Sequence, residues 1–260
     1  MNILVTNDDG IYSDGLWAVV EELKHIGQVT VVAPDRDQSG AGTSVTLRLP
    51  VRLHKIKPLV GGVTAFRLEG TPADCVIMAL RVAIKDEIDL VVSGINEGSN
   101  LGNDVFISGT VGAAIQGYAY GISSIAVSIA GFSNLNYDAS ASVTRSLATA
   151  FKEGRLPRKL FLNVNLPNLS PDGICGIEVT KLGERSYVDR VDHGHDGKRE
   201  YYWIVRAIPE WNVIPGTDVW ALEQNKISIM PFPHGDGVIS QELISGIRQD
   251  ISGHTSSVKA

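Results

Sequence analysis

The chain opens with Asn2-Ile3-Leu4-Val5-Thr6 and runs straight into Asn7-Asp8-Asp9-Gly10. An apolar run without polar alternation reads as a central strand of a parallel sheet, buried on both faces. Ligand sites in such sheets lie just beyond the carboxyl ends of the strands, which places Asp8 and Asp9 at that edge. Adjacent carboxylates are both ionised at neutral pH when unperturbed, and they repel unless a cation or a proton lies between them. A hard divalent cation, Mg2+ or Mn2+, is the matching third party. An Asx-turn closed by Gly10 explains the same residues without a ligand, so this pair alone leaves both readings open.

The same pattern recurs along the chain. Leu16, Val19, Val20 and Leu23 follow a helical period after Ser13 or Asp14 as cap, with Gly27 as stop. Val29 to Ala33 is a second buried strand, ending at Pro34 before the polar, glycine-rich 35–42 loop. Thr64 to Leu68 reads as a strand, and Thr71-Pro72 starts a helix running to about Ala83. Ile88 to Ser93 is another strand, followed by a polar loop from Gly94 to Asp104. Thr110 to Gly121 is helical, Ile125 to Ile129 extended, Ala139 to Phe151 helical, and Lys159 to Asn165 closes the βα series. Beyond Pro167 the pattern shifts to extended segments near 177–181, 199–207 and 227–230, then a helix over 239–248 and a frayed tail from Ser252. The expected class is α/β, a mostly parallel sheet flanked by helices with a β-rich C-terminal arm and a terminal helix. Residues 1–167 form the core and 168–260 the extension, within one domain.

Composition narrows the function. The 260 residues carry a formal charge of -6, which disfavours a nucleic-acid polymer as partner. No stretch approaches the ~20 apolar residues of a membrane helix, and no targeting segment is legible at the start, so a cytoplasmic location is expected. Cys75 and Cys175 lack metal-ligand spacing and read as small buried hydrophobes.

Three strands end in short oxygen-bearing side chains: Asp8 and Asp9, then Ser39, then Asn96. Two carboxylates, a hydroxyl, an amide oxygen and water suit octahedral Mg2+ or Mn2+, whereas zinc would call for His or Cys. Gly109-Thr110 at a helix entrance offers backbone N–H groups and a hydroxyl to a phosphate. Metal plus anion cradle points to phosphoryl chemistry. Taken singly, Ser39, Asn96, Ser108 and Thr110 are also ordinary turn and cap residues.

Several ordered motifs together resemble the SurE family of metal-dependent 5'/3'-nucleotidases. They are Ile3 to Gly10, Ala33-Pro34-Asp35 through Ser39-Gly40, Gly70 to Cys75, Val92 to Asn96 with Gly98, Asn100 and Gly102, and Ser108 to Ala114. Asn163-Val164-Asn165, Tyr201-Tyr202-Trp203, Gly216-Thr217-Asp218 and Ile227-Ser228-Ile229 extend the resemblance into the second half. It implies a Rossmann-like fold and one divalent metal per subunit on Asp8, Asp9, Ser39 and Asn96. It also implies hydrolysis of nucleoside 5'-monophosphates, and of 3'-monophosphates, to nucleoside and phosphate, by a homodimer or homotetramer joined through the C-terminal arm. Asp8 and Asp9 are then the catalytic candidates, and Asn7, Ser108, Gly109 and Thr110 the phosphate contacts. Met230-Pro231-Phe232 departs from the Thr-Pro-Leu that the resemblance leads one to expect.

Two other classes compete. A non-catalytic nucleotide-binding module would use the same sheet edge. A haloacid-dehalogenase-like phosphatase also carries aspartates after its first strand, but separated by one residue, unlike Asp8-Asp9. The histidines are read outside the chemistry: His25 near a helix end, His54 and His254 on the surface, His193 and His195 at a hairpin tip, His234 in a loop.

Overall fold

The computed structural model describes residues 1–186, 189–206, 210–232 and 239–257; His234 lies outside them. The chain runs β1 (Asn2–Thr6), α1 (Asp14–Leu23), β2 (Gln28–Pro34), β3 (Leu53–Ile56), β4 (Thr64–Leu68), α2 (Pro72–Met78), β5 (Leu90–Glu97) and α3 (Gly109–Ala119). It continues with β6 (Ser123–Ala130), α4 (Asp138–Lys152), β7 (Phe161–Pro167), β8 (Gly176–Val179), β9 (Glu184–Ser186), β10 (Asp189–His195) and β11 (Glu200–Arg206). Last come β12 (Glu210–Asn212), α5 (Asp218–Glu223), β13 (Lys226–Phe232) and α6 (Gln241–Ser257).

Nine strands form one sheet in the order β3-β4-β2-β1-β5-β6-β7-β13-β8. β4, β2, β1, β5, β6 and β7 are mutually parallel, while β3 and β13 run antiparallel to their neighbours β4 and β7. The run at the start of the chain is buried on both faces, as its lack of alternation requires. Ile3 and Val5 enter the core under α1, α4 and α6, and Leu4 enters the core under α2. After β1 the chain winds one way to β2 and β4, then returns to place β5 on the other side of β1. That reversal is the topological switch point, where the strand ends leave a crevice.

Local chemistry explains the elements around it. Thr71 accepts from the Asp74 N–H while Asp74 accepts from the Thr71 N–H, a reciprocal cap with Pro72 behind it. Ser108 caps α3 by accepting from the Val111 N–H at 3.1 Å. Phe232, the departure in β13, sets its ring 6.0 Å from Phe161 and 6.4 Å from Tyr118, filling space beside β7 and α3.

Several expectations are corrected. α6 continues to Ser257 through the segment read as a frayed tail. Ile244, Ile247 and Ile251 supply a stripe at helical spacing that packs into the α1–α4 core. Cys75 is buried, but Cys175 is exposed in the approach to β8. His193 and His195 belong to β10, with the turn falling after them at 196–199. β3 and α5 had no strong periodic signal, being four and six residues long.

Candidate metal and phosphate site

The strand order β2-β1-β5 carries the loop holding Ser39, the Asp8-Asp9 turn and Asn96 to one edge, side by side. Gln38 N–H donates to the Asp8 carbonyl at 2.8 Å, and Ile11 N–H to the Pro34 carbonyl at 2.8 Å, so the loop after β2 is tied to the turn after β1. Asn7 Nδ2 donates to the Gly10 carbonyl at 2.9 Å and closes that turn. β5 bulges between Ser93 and Asn96, where the Gly94–Ile95 peptide is cis. A Cβ on Gly94 would stand 2.3 Å from the Val127 carbonyl, so only glycine admits this close pass to β6.

Asp8 is buried, and the start of α3 closes over it. Thr110 donates its hydroxyl to Asp8 Oδ1, and its backbone N–H reaches the same carboxylate. A Cβ at position 109 would lie 2.8 Å from Asp8 Cβ and 2.9 Å from its Oδ2, so Gly109 is what lets the helix approach. Burial pushes the Asp8 carboxyl up, partly offset by the Thr110 hydroxyl and N–H. Asp9 is pushed up to about 8, by burial first and then by the charge of Asp8, against the lowering effect of the Glu97 backbone N–H. The charges of Glu97 and Asp37 raise it further.

Asp37 and Glu97 are the two members that the sequence reading missed. Asp37 accepts from both the hydroxyl of Ser39, at 2.6 Å, and its N–H, at 2.7 Å. Glu97 accepts from the Tyr137 hydroxyl at 2.8 Å, and burial followed by that carboxylate raises the phenol. Both acids were within reach of the sequence, Asp37 two residues before Ser39 and Glu97 next to Asn96. Tyr137 comes from the start of α4 and gave no local signal.

Four carboxylates therefore crowd one edge. Among the described residues, none of them makes an ion pair with Lys, Arg or His. Two oxygens, Asp9 Oδ2 and Asn7 Oδ1, are buried without a hydrogen-bond partner. Asn96 Nδ2 is held by the Gly98 carbonyl at 2.6 Å, which leaves its amide oxygen for another partner. Ser39 gives its proton to Asp37 and keeps lone pairs. Uncompensated negative charge, an orphaned carboxylate oxygen and neutral oxygen donors fit a hard divalent cation. No three His, Cys, Asp or Glu side chains among the described residues gather as a metal cluster, so a cation at this edge would need neutral oxygens as well.

The phosphate candidates divide. The Thr110 hydroxyl is committed to Asp8, and the Ser108 oxygen to the Val111 N–H, though its own proton remains free to donate. The Gly109 N–H lies in the first turn of an 11-residue helix, where no residue of the helix can accept from it.

The family model described as Survival protein SurE matches residues 3–189. The chain belongs to the SurE family. Among its relatives, a protein of Dehalococcoides mccartyi named 5'-nucleotidase SurE is 49% identical over 231 residues, 88% of this chain and 87% of that one. A 5'-nucleotidase SurE of Halorhodospira halophila is 41% identical over 89% of this chain and 91% of its own. The crystal structure of the SurE protein from Aquifex aeolicus superposes with a TM-score of 0.74 at 39% identity, covering 95% of this chain and 98% of that chain. The expected α/β class with its extra antiparallel C-terminal strands matches that neighbour. No helix among the described residues is long and apolar enough to cross a membrane.

Proposed function

We propose that this protein is a 5'-nucleotidase that depends on one divalent cation per subunit and hydrolyses nucleoside 5'-monophosphates, and 3'-monophosphates, to nucleoside and phosphate. The names of relatives sharing about half of its residues support the activity. The four-carboxylate edge with its orphaned Asp9 oxygen carries the metal reading. Asp8, Asp9, Ser39 and Asn96 would hold the ion. When bound, Mg2+ or Mn2+ supplies positive charge to the phosphoryl oxygens and lowers the pKa of water.

The chain's own residues supply the rest. Thr110 orients Asp8 and favours its ionised form. The Gly109 N–H and the Ser108 hydroxyl offer donors to phosphoryl oxygens at a helix start. Glu97, locked by Tyr137, holds Asp9 through its backbone N–H. The β10–β11 hairpin exposes Tyr202, Trp203 and Ile204 by 61, 65 and 79%, which supports subunit pairing through this arm as a homodimer or homotetramer. Phosphate release from a nucleoside-monophosphate panel, with EDTA, Mg2+ or Mn2+, tests the proposal. Metal-dependent release is expected; none with any nucleotide would favour a non-catalytic nucleotide-binding module.

A further inference from the structure

The amino-terminal edge of the sheet, opposite the carboxylates, carries a groove of about 950 Å³ that the nucleotidase reading leaves unused. Its walls come from Met1, from the segment entering β5, from the turn between α3 and β6, and from the connection between α4 and β7. Arg81, Lys85, Lys152, Arg158 and Lys159 line it, against the acids Asp86, Glu87 and Asp89. Five cations and three acids leave it two charges positive in a chain of formal charge -6. Among the described residues, none of the five cations is in an ion pair. Lys152 is held by the Ile26 carbonyl at 2.9 Å, and Asp89 by the Asn2 N–H at 2.7 Å. A positive cleft of this kind concentrates anions within an otherwise acidic surface.

Two local irregularities shape the groove. α2 runs into a π-helical turn at Ala79–Ala83, closed by the Ile84 N–H donating to the Ala79 carbonyl at 3.0 Å. Arg81 sits in that turn, with its guanidinium 5.3 Å from the centre of the Tyr120 ring. Such turns are rare and cluster at functional sites. Lys159 holds a left-handed backbone at φ +61° while its N–H donates to Ser123 Oγ at 3.2 Å. A lysine in that region is uncommon and persists only where its surroundings fix it.

We propose that this groove is a second nucleotide site, taking a nucleoside di- or triphosphate. The Tyr120–Arg81 pair stacks the base, Arg158 and Lys159 take the phosphates, and Asp86 and Glu87 accept from amino or ribose hydroxyl groups. The volume lies within the range of small-molecule sites. β1 spans five residues between the two edges, about 17 Å, so this ligand and a monophosphate at the carboxylate edge can be bound together.

The test is calorimetric titration of the full chain in EDTA with ATP and with inorganic tripolyphosphate, which needs no turnover and so does not depend on the nucleotidase reading. Wild type and Asp8→Asn should bind one ATP per chain alike. Arg158→Glu with Lys159→Glu should weaken ATP at least tenfold, and Tyr120→Ala should weaken ATP while leaving tripolyphosphate unchanged. Should the double charge reversal lower the unfolding temperature, Arg81→Ala serves in its place with the same expected loss of ATP binding. No ATP binding by wild type, or binding lost in Asp8→Asn and kept in the groove variants, overturns the proposal.

Discussion

Replacing Asp9 by Asn tests the electrostatics of the carboxylate edge without reference to turnover. Asp9 ordinarily titrates near 3.8 and is raised to about 8 in the folded chain, so the metal-free folded state holds this proton more tightly than the unfolded state. The sign follows: the stability tied to that proton is full below about pH 4 and is lost as pH climbs through 8. Integrated between pH 5 and pH 8, the loss is roughly 3 to 4 kcal/mol. At about 2 °C per kcal/mol for a chain of this size, that is roughly 7 °C in Tm. The Asn variant has no such titration, so in EDTA its Tm advantage over wild type should grow by about that amount from pH 5 to pH 8. Adding Mn2+ at pH 8 should raise the Tm of wild type and leave the variant behind. Thermal unfolding by circular dichroism at the two pH values is sufficient. A variant whose advantage at pH 8 is no larger than at pH 5 would refute the reasoning that burial beside Asp8 makes the ionised Asp9 costly.

Other substitutions follow from the geometry. Thr110→Val removes the hydroxyl that favours ionised Asp8, and a lost charge-assisted bond of ~1.5 to 3 kcal/mol predicts roughly 10- to 150-fold weaker Mn2+ binding by titration. Gly109→Ala drives a methyl onto Asp8 and should cut nucleotide turnover about 100-fold or more; wild-type turnover would show that the helix start can shift freely. Asp218→Asn keeps one oxygen for the N–H groups of Gly183 and Val219, which now donate to Oδ1, but sets an NH2 against the Gly102 N–H, which donates to Oδ2. The loss of about 1 to 3 kcal/mol should appear as a lowered Tm.

The sheet was legible because its strands are continuous apolar runs and its connections carry capping residues such as Thr71-Pro72 and Ser108. The ends of β1, β2 and β5 declared themselves by carboxylate, hydroxyl and amide side chains after apolar runs. Less legible was anything set by tertiary contact. β13 shows an apolar run, but its insertion between β7 and β8 in the same sheet has no local signature. Glu97 looked like one more loop acid until Tyr137 from α4 fixed it. Thr110 was read as a phosphate donor, and only the approach of the start of α3 to the turn after β1 shows its hydroxyl given to Asp8. The carboxyl end of α6 failed for a different reason: Ser252 to Ser257 are poor helix formers, and Ile251 extends the buried stripe into them.

The most direct measurement is the stoichiometry of Mn2+ binding, by titration calorimetry, to wild type, Asp8→Asn, Asp9→Asn and Asn96→Ala. One ion per chain is expected in wild type and none of comparable affinity in the three variants, each still folded by circular dichroism. One tightly bound ion retained in Asp8→Asn and Asp9→Asn alike would place the metal elsewhere and contradict it.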